Sequence, residues 1–211
     1  MKKITLFFCA LAMTALVANS YSQNIKEVKI GSQVWMAENL NVNEFRNGDP
    51  IPMARTATEW EYANENKLPA WCYYNNEAAN GQAYGKLYNW YAVNDPRGLA
   101  PKGWHVPSDQ EWTQLTDHLG PTAGAKMKSN NGWKEKGNGT NESGFSGLSG
   151  GGRYSDGKFD GFGGYGVWWS STENDYGSAW NRSLNSLTSN VNGNFANKGN
   201  GVSVRCVKDE K

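Results

Sequence analysis

Read for alternation of apolar and polar positions, the chain divides into three stretches. Ile4 to Val17 is an uncharged, mostly apolar run preceded by Lys2-Lys3 and followed by Ala18-Asn19-Ser20-Tyr21-Ser22. A basic start, a short apolar run and small residues after it are the marks of a secretory signal peptide, expected over residues 1–22. The run is shorter than the roughly 20 residues a membrane span needs. Cys9 lies mid-run behind Phe7-Phe8, which argues against lipoprotein processing. No later segment is apolar enough to cross a membrane.

From Val28 to Met36 the pattern predicts two short strands around Gly31-Ser32. Thr58-x-x-Glu61 reads as a capping box opening a helix that Leu68-Pro69 closes. Trp71 to Tyr74 reads as a buried strand. Tyr84, Leu87, Tyr88 and Tyr91 have the i, i+3, i+4, i+7 spacing of one helix face, stopped by Asn94-Asp95-Pro96. A further helix is expected from the Ser108 cap with Glu111 three residues on. Trp112, Leu115 and Leu119 would share its inner face, with Gly120 at its end and another turn or two over 123–129.

After Gly132 the composition turns to Gly, Asn and Ser with short apolar runs. Strands are expected near 145–148, 152–154, 167–170, 179–184 and 202–207, with a hairpin turn at Asp156-Gly157. The fold class is therefore α+β: a single domain of two or three helices beside a twisted, mostly antiparallel, loop-rich sheet.

Charge narrows the partners. Losing Lys2 and Lys3 with the signal turns a net charge of +1 into about −1, with no basic stripe, so nucleic acid is not an expected ligand. Cys72 and Cys206 remain after the signal. In an oxidising compartment an even pair favours a disulfide, with two buried free thiols as the alternative.

Several long motifs occur in one order. They are Val28-Lys29-Ile30-Gly31-x-Gln33-Val34-Trp35-Met36-Ala37-Glu38-Asn39-Leu40, Tyr84-Gly85-x-Leu87-Tyr88-Asn89-Trp90-Tyr91-Ala92-Val93 and Pro101-x-Gly103-Trp104-His105-Val106-Pro107. Then come Glu142-Ser143-Gly144-Phe145, Trp168-Trp169-Ser170-Ser171-Thr172 and Ser203-Val204-Arg205-Cys206-Val207. Over about residues 26–208 the chain resembles the Fibrobacter succinogenes major paralogous domain family. That resemblance implies an exported or surface-attached protein. It also implies a fold similar to the C-type-lectin-like and formylglycine-generating-enzyme group. Many members carry a Cys near the position of Ala100; this chain lacks it, which leaves Cys72 and Cys206 as the only possible pair.

Each candidate chemistry has a plainer reading. The formylglycine-generating enzymes rely on a C-terminal cysteine pair, and Cys206 stands alone in that region. His105 and His118 lack a nucleophile-elbow partner, so the expectation is no enzyme and no catalytic residues. Glu173-Asn174-Asp175 and the Asp156–Asp160 turn are the oxygen-rich clusters that calcium would choose, yet both read more simply as polar turns; no metal ligand and no cofactor is assigned.

Ten Trp and ten Tyr suggest an aromatic recognition surface. Asn174, Asp175, Tyr176, Trp180 and Asn181 are the candidate ligand-binding residues, on loops between Ser171 and Asn200. The functional expectation is an exported, non-catalytic binding or adhesion module for a glycan or surface protein, placed outside the cell, at its surface or in the periplasm. A structural component of the cell envelope is the alternative, and an enzyme of the formylglycine-generating type is a weaker third.

Overall fold

In the computed structural model, residues 25–210 are described, so the expected signal peptide lies outside the described residues. Strands β1 (Glu27–Ile30) and β2 (Gln33–Met36) pair antiparallel about Gly31, whose φ of +62° suits the tight turn. The last strand lies beside them. Calling Trp104–His105 β5 and Val207–Lys208 β11, the order across this sheet is β1-β2-β11-β5. A Lys208–Glu27 ion pair of 2.7 Å ties the two ends of the domain together.

Helix α1 (Ala57–Glu65) begins two residues earlier than expected. Thr56, not Thr58, is its cap: the Thr56 hydroxyl accepts from the Glu59 N–H at 3.1 Å, and the Glu59 carboxylate accepts from the Thr56 N–H at 3.1 Å. This frame buries Trp60 and Ala63 on one face. The helix predicted from the Tyr84–Tyr91 spacing does not form. Instead α2 (Ala78–Tyr84) stops at Gly85, with φ +74° and no room for a Cβ, which would meet the Leu40 carbonyl at 2.8 Å. Strand β4 (Leu87–Tyr88) then pairs with β3 (Trp71–Cys72), and α3 (Trp90–Val93) restarts with the Asn89 side chain as its cap. Helices α4 (Asp109–Leu119) and α5 (Ala123–Met127) follow the sequence. Ser108 and Glu111 form the capping box, and Trp112, Leu115 and Leu119 are buried. Among the described residues there are thus five α-helices against the two or three expected, of which α3 and α5 are only four and five residues long.

The second sheet has five strands: β6 (Gly150–Arg153), β7 (Phe159–Phe162), β8 (Tyr165–Glu173), β9 (Ser178–Asn185) and β10 (Asn192–Asn197). Their order is β10-β9-β8-β6-β7, antiparallel except for the β6/β8 contact. Adjacent residues of a strand face opposite ways. Trp168 therefore enters one core cluster with Trp35, Trp112 and Phe145, while Trp169 enters another with Tyr88, Val204 and Cys206. Residues 145–148 form no strand. Residues 202–206 run between the layers, bridging Tyr88 and Trp168 singly.

Buried carbonyls need partners, and in loops and strands alike tryptophan and basic side chains supply many of them. Indole N–H groups of Trp60, Trp71, Trp90, Trp112, Trp133 and Trp169 donate to the carbonyls of Gly199, Ile51, Ser170, Trp169, Gly147 and Tyr88. The buried Arg205 guanidinium donates to the carbonyls of Met36 and Phe145 and to Asn39 Oδ1. That oxygen also accepts from Trp168 Nε1 at 2.8 Å. Burial pushes Arg205 down to about 9, which leaves it charged at neutral pH.

The expected Cys72–Cys206 disulfide is corrected: both are buried free thiols. The reason is strand alternation. Cys72 pairs with Leu87 and faces the cluster of Trp60 and Ala63. Its neighbours Trp71 and Tyr88 face the other way, toward Cys206. Burial pushes both thiols up to about 12. No described helix is long and apolar enough to cross a membrane.

Candidate functional site

The β6–β7 hairpin builds the most promising site. Asp156 and Gly157 turn the chain: Gly157 has φ +82°, Asp156 Oδ1 accepts from the Lys158 N–H at 3.1 Å, and Arg153 pairs with Phe159. Gly151 lets the two strands close up, since a Cβ there would lie 2.5 Å from the Asp160 carbonyl. Beside this hairpin the five-stranded sheet carries an open groove of about 320 Å³, at the lower end of the roughly 300–1,000 Å³ typical of ligand sites.

Its rim holds Tyr154 and Tyr165, 52% and 51% exposed. Val167 and Ala196 line its apolar part, and Asp160 and Asn200 supply polar groups. Tyr154 Oη lies 3.3 Å from Asp160 Oδ2. Burial, and then the Asp160 charge, push the Tyr154 phenol up, so it stays a neutral donor. Arg153 also borders the groove but is occupied. It donates to the carbonyls of Gly157 (3.0 Å) and Ala54 (2.9 Å) and lies between Trp60 and Phe159. The groove therefore offers two phenol rings, one carboxylate and one amide. A second groove, about 470 Å³ beside α1 and past Tyr62 and Leu68, is mainly apolar. Glu59, its one acid, is spent on the helix cap.

The residues singled out in the sequence lie elsewhere and do not converge. Asn174, Asp175 and Tyr176 form the tip of the β8–β9 hairpin. Asp175 Oδ1 accepts from the N–H groups of Gly177 and Ser178 at 2.8 Å each, and Asn174 Nδ2 donates to Asp175 Oδ2 and Ser178 Oγ. The Ser178 side chain, and then these bonds, hold the Asp175 carboxyl below its usual range, and the bonds shape the turn. Tyr176 is 80% exposed, with the Lys67 ammonium bonded to its hydroxyl and 4.0 Å above its ring; that bond lowers the phenol's pKa. Trp180 packs edge-on against Phe195 at 6.1 Å, and Asn181 is buried on the opposite face of β9.

His105 is held at both nitrogens: Nδ1 lies 2.7 Å from Asp209 Oδ1 and Nε2 2.7 Å from Glu111 Oε1. Burial opposes its charge, but the two carboxylates outweigh burial and raise its pKa. Among the described residues no group of three or more His, Cys, Asp or Glu is placed to hold a metal ion.

The groove residues were missed because only their turn was visible. Alternation could have put Tyr165 and Val167 on one face, but Asn200 arrives there through the topology. A family model for the Fibrobacter succinogenes major domain matches residues 28–208. No curated protein matches the chain.

Proposed function

The chain belongs to the Fibrobacter succinogenes major domain family, and on that footing we propose that it is an exported, non-catalytic binding module. Its ligand would be a neutral glycan, held in the groove at Tyr154 and Tyr165. The observation that carries this reading is the pair of half-exposed tyrosines flanking Asp160 and Asn200. Phenol rings pack on sugar faces, while the carboxylate and amide accept from and donate to hydroxyls. Asp160, the one negative charge lining the groove, disfavours acidic sugars. Glycoside hydrolysis in its usual form needs two carboxylates, and the groove has one. Thiolate oxidation of the formylglycine-generating type needs an accessible low-pKa thiol, whereas burial holds both thiols near 12. The fold we assign to the C-type-lectin-like group, on the family resemblance and the α+β arrangement.

The test is binding of the full chain, signal removed, to a panel of soluble and insoluble glycans, with calcium and then with chelator. Saturable, chelator-insensitive binding is expected. Tyr165→Ala should weaken it about tenfold or more, the scale of losing a buried aromatic contact. No binding across the panel, or binding indifferent to Tyr154→Ala and Tyr165→Ala, would overturn the assignment and favour an envelope-building role.

A further inference from the structure

Strand β10 is an open edge. It pairs with β9 on one side, and the main chain of residues 192–196 makes no other hydrogen bond among the described residues. The Lys198 N–H to Gly177 carbonyl bond, at 3.0 Å, continues that ladder and fixes its alternation. In an antiparallel pair every second residue turns both polar groups to the partner. Asn192, Asn194 and Ala196 fall in step with Lys198 and face β9. Gly193, Phe195 and Asn197 therefore aim their N–H and C=O groups outward.

Open edges are usually blunted by charge, proline or a bulge. Residues 192–197, Asn-Gly-Asn-Phe-Ala-Asn, contain no charge and no proline. Phe195 is 61% exposed at the middle of this edge, beside Trp180.

We propose that this edge pairs with the β10 edge of a second copy of the chain. Placing Phe195 opposite Phe195 of the second copy makes the pattern self-complementary. The two phenylalanines exchange both N–H···O bonds, and Gly193 of each copy meets Asn197 of the other in the same way. The Asn197 carbonyl already accepts from the Asn200 N–H, and its second lone pair remains. Such a contact is isologous and closes at two copies. The aromatic rings meet as a cross-strand pair. A strand this short buries less than the roughly 1,200 Å² of stable complexes, so the dimer is weak and depends on concentration. The two-fold axis stands perpendicular to the joined sheet, so both grooves open on the same side.

The measurement is sedimentation equilibrium of the full chain, signal removed, from low micromolar to near-millimolar concentration. The mass should double over that range. Phe195→Pro removes an outward N–H together with the ring that packs on Trp180, and Phe195→Lys sets like charges opposite each other. Both should stay monomeric and folded, with a cooperative urea transition. Phe195→Cys should cross-link two copies on oxidation, because the native thiols are buried. A wild-type chain monomeric throughout, or a dimer that persists in Phe195→Pro, would overturn the proposal. Glycan binding by a monomeric chain would leave the groove assignment standing.

Discussion

Replacing Asn39 with alanine tests how the loops are pinned. Asn39 Oδ1 accepts from Arg205 Nε (3.1 Å), Arg205 Nη2 (2.6 Å) and Trp168 Nε1 (2.8 Å). Arg205 is fully buried, and none of its hydrogen bonds goes to a carboxylate. Without Asn39 the guanidinium keeps the Met36 and Phe145 carbonyls but loses the acceptor for two donors, and the indole loses its partner. A hydrogen bond to a charged group is worth about 1.5–3 kcal/mol, and stranding a buried charge costs about 3–5 kcal/mol. A loss of about 3–5 kcal/mol is expected for Asn39→Ala, against the roughly 5–15 kcal/mol that holds a domain folded. Urea unfolding followed by tryptophan emission at pH 7 would read it. Asn39→Asp keeps the acceptor and adds a countercharge to Arg205, but it loses the amide that donates to the Tyr84 carbonyl at 2.8 Å, so it should recover only part of that loss. Its stability should then fall in acid, as pH drops through the lowered carboxyl pKa. A loss below about 1 kcal/mol for Asn39→Ala would refute the idea that this oxygen organises the centre.

Two further outcomes follow from side chains already described. His105, raised by Asp209 and Glu111, contributes stability that is complete below its unfolded pKa near 6.5 and is lost as pH rises through the higher folded value. Thermal melts should weaken slightly over that window, by less than about 1 kcal/mol because the site is partly exposed, and His105→Gln should remove the dependence; equal slopes in both proteins would reject it. Cys72 and Cys206 should resist a thiol reagent in the native protein and both react after unfolding without reductant, whereas a native mass two hydrogens lower would reveal the bridge that strand alternation argues against.

The sequence made local structure legible wherever signals agreed within a few residues. Gly31 between alternating strands, the Ser108–Glu111 box and the Asp156-Gly157 turn all hold. It misled where two readings fitted equally. Thr56 and Thr58 each precede a glutamate by three residues, and burial of Trp60 selects the first. The Tyr84–Tyr91 spacing suits a helix, but a left-handed Gly85 and the pairing of Leu87-Tyr88 with Trp71-Cys72 divide it. Strand β10 carried no apolar alternation, because its stability comes from the β9 ladder. Abundant tryptophan suggested a surface, whereas six of the indoles donate to backbone carbonyls inside. The groove was illegible for a topological reason: Tyr154, Tyr165 and Asn200 meet only once the second sheet exists.

The order β1-β2-β11-β5 also sets a timetable for synthesis. A ribosome releases β2 and β5 long before β11, yet the two are joined only through Val207, which pairs with both Trp35 and His105. The first sheet stays in two halves until Val207 has emerged, and Arg205 reaches the centre at the same moment. Closure of the first sheet thereby waits for residues 205–208, and long-range closure of this kind is slow. A chain shortened by a few residues at its C-terminus would leave both halves waiting, and a separate peptide spanning 200–210 would be the natural piece to complete them.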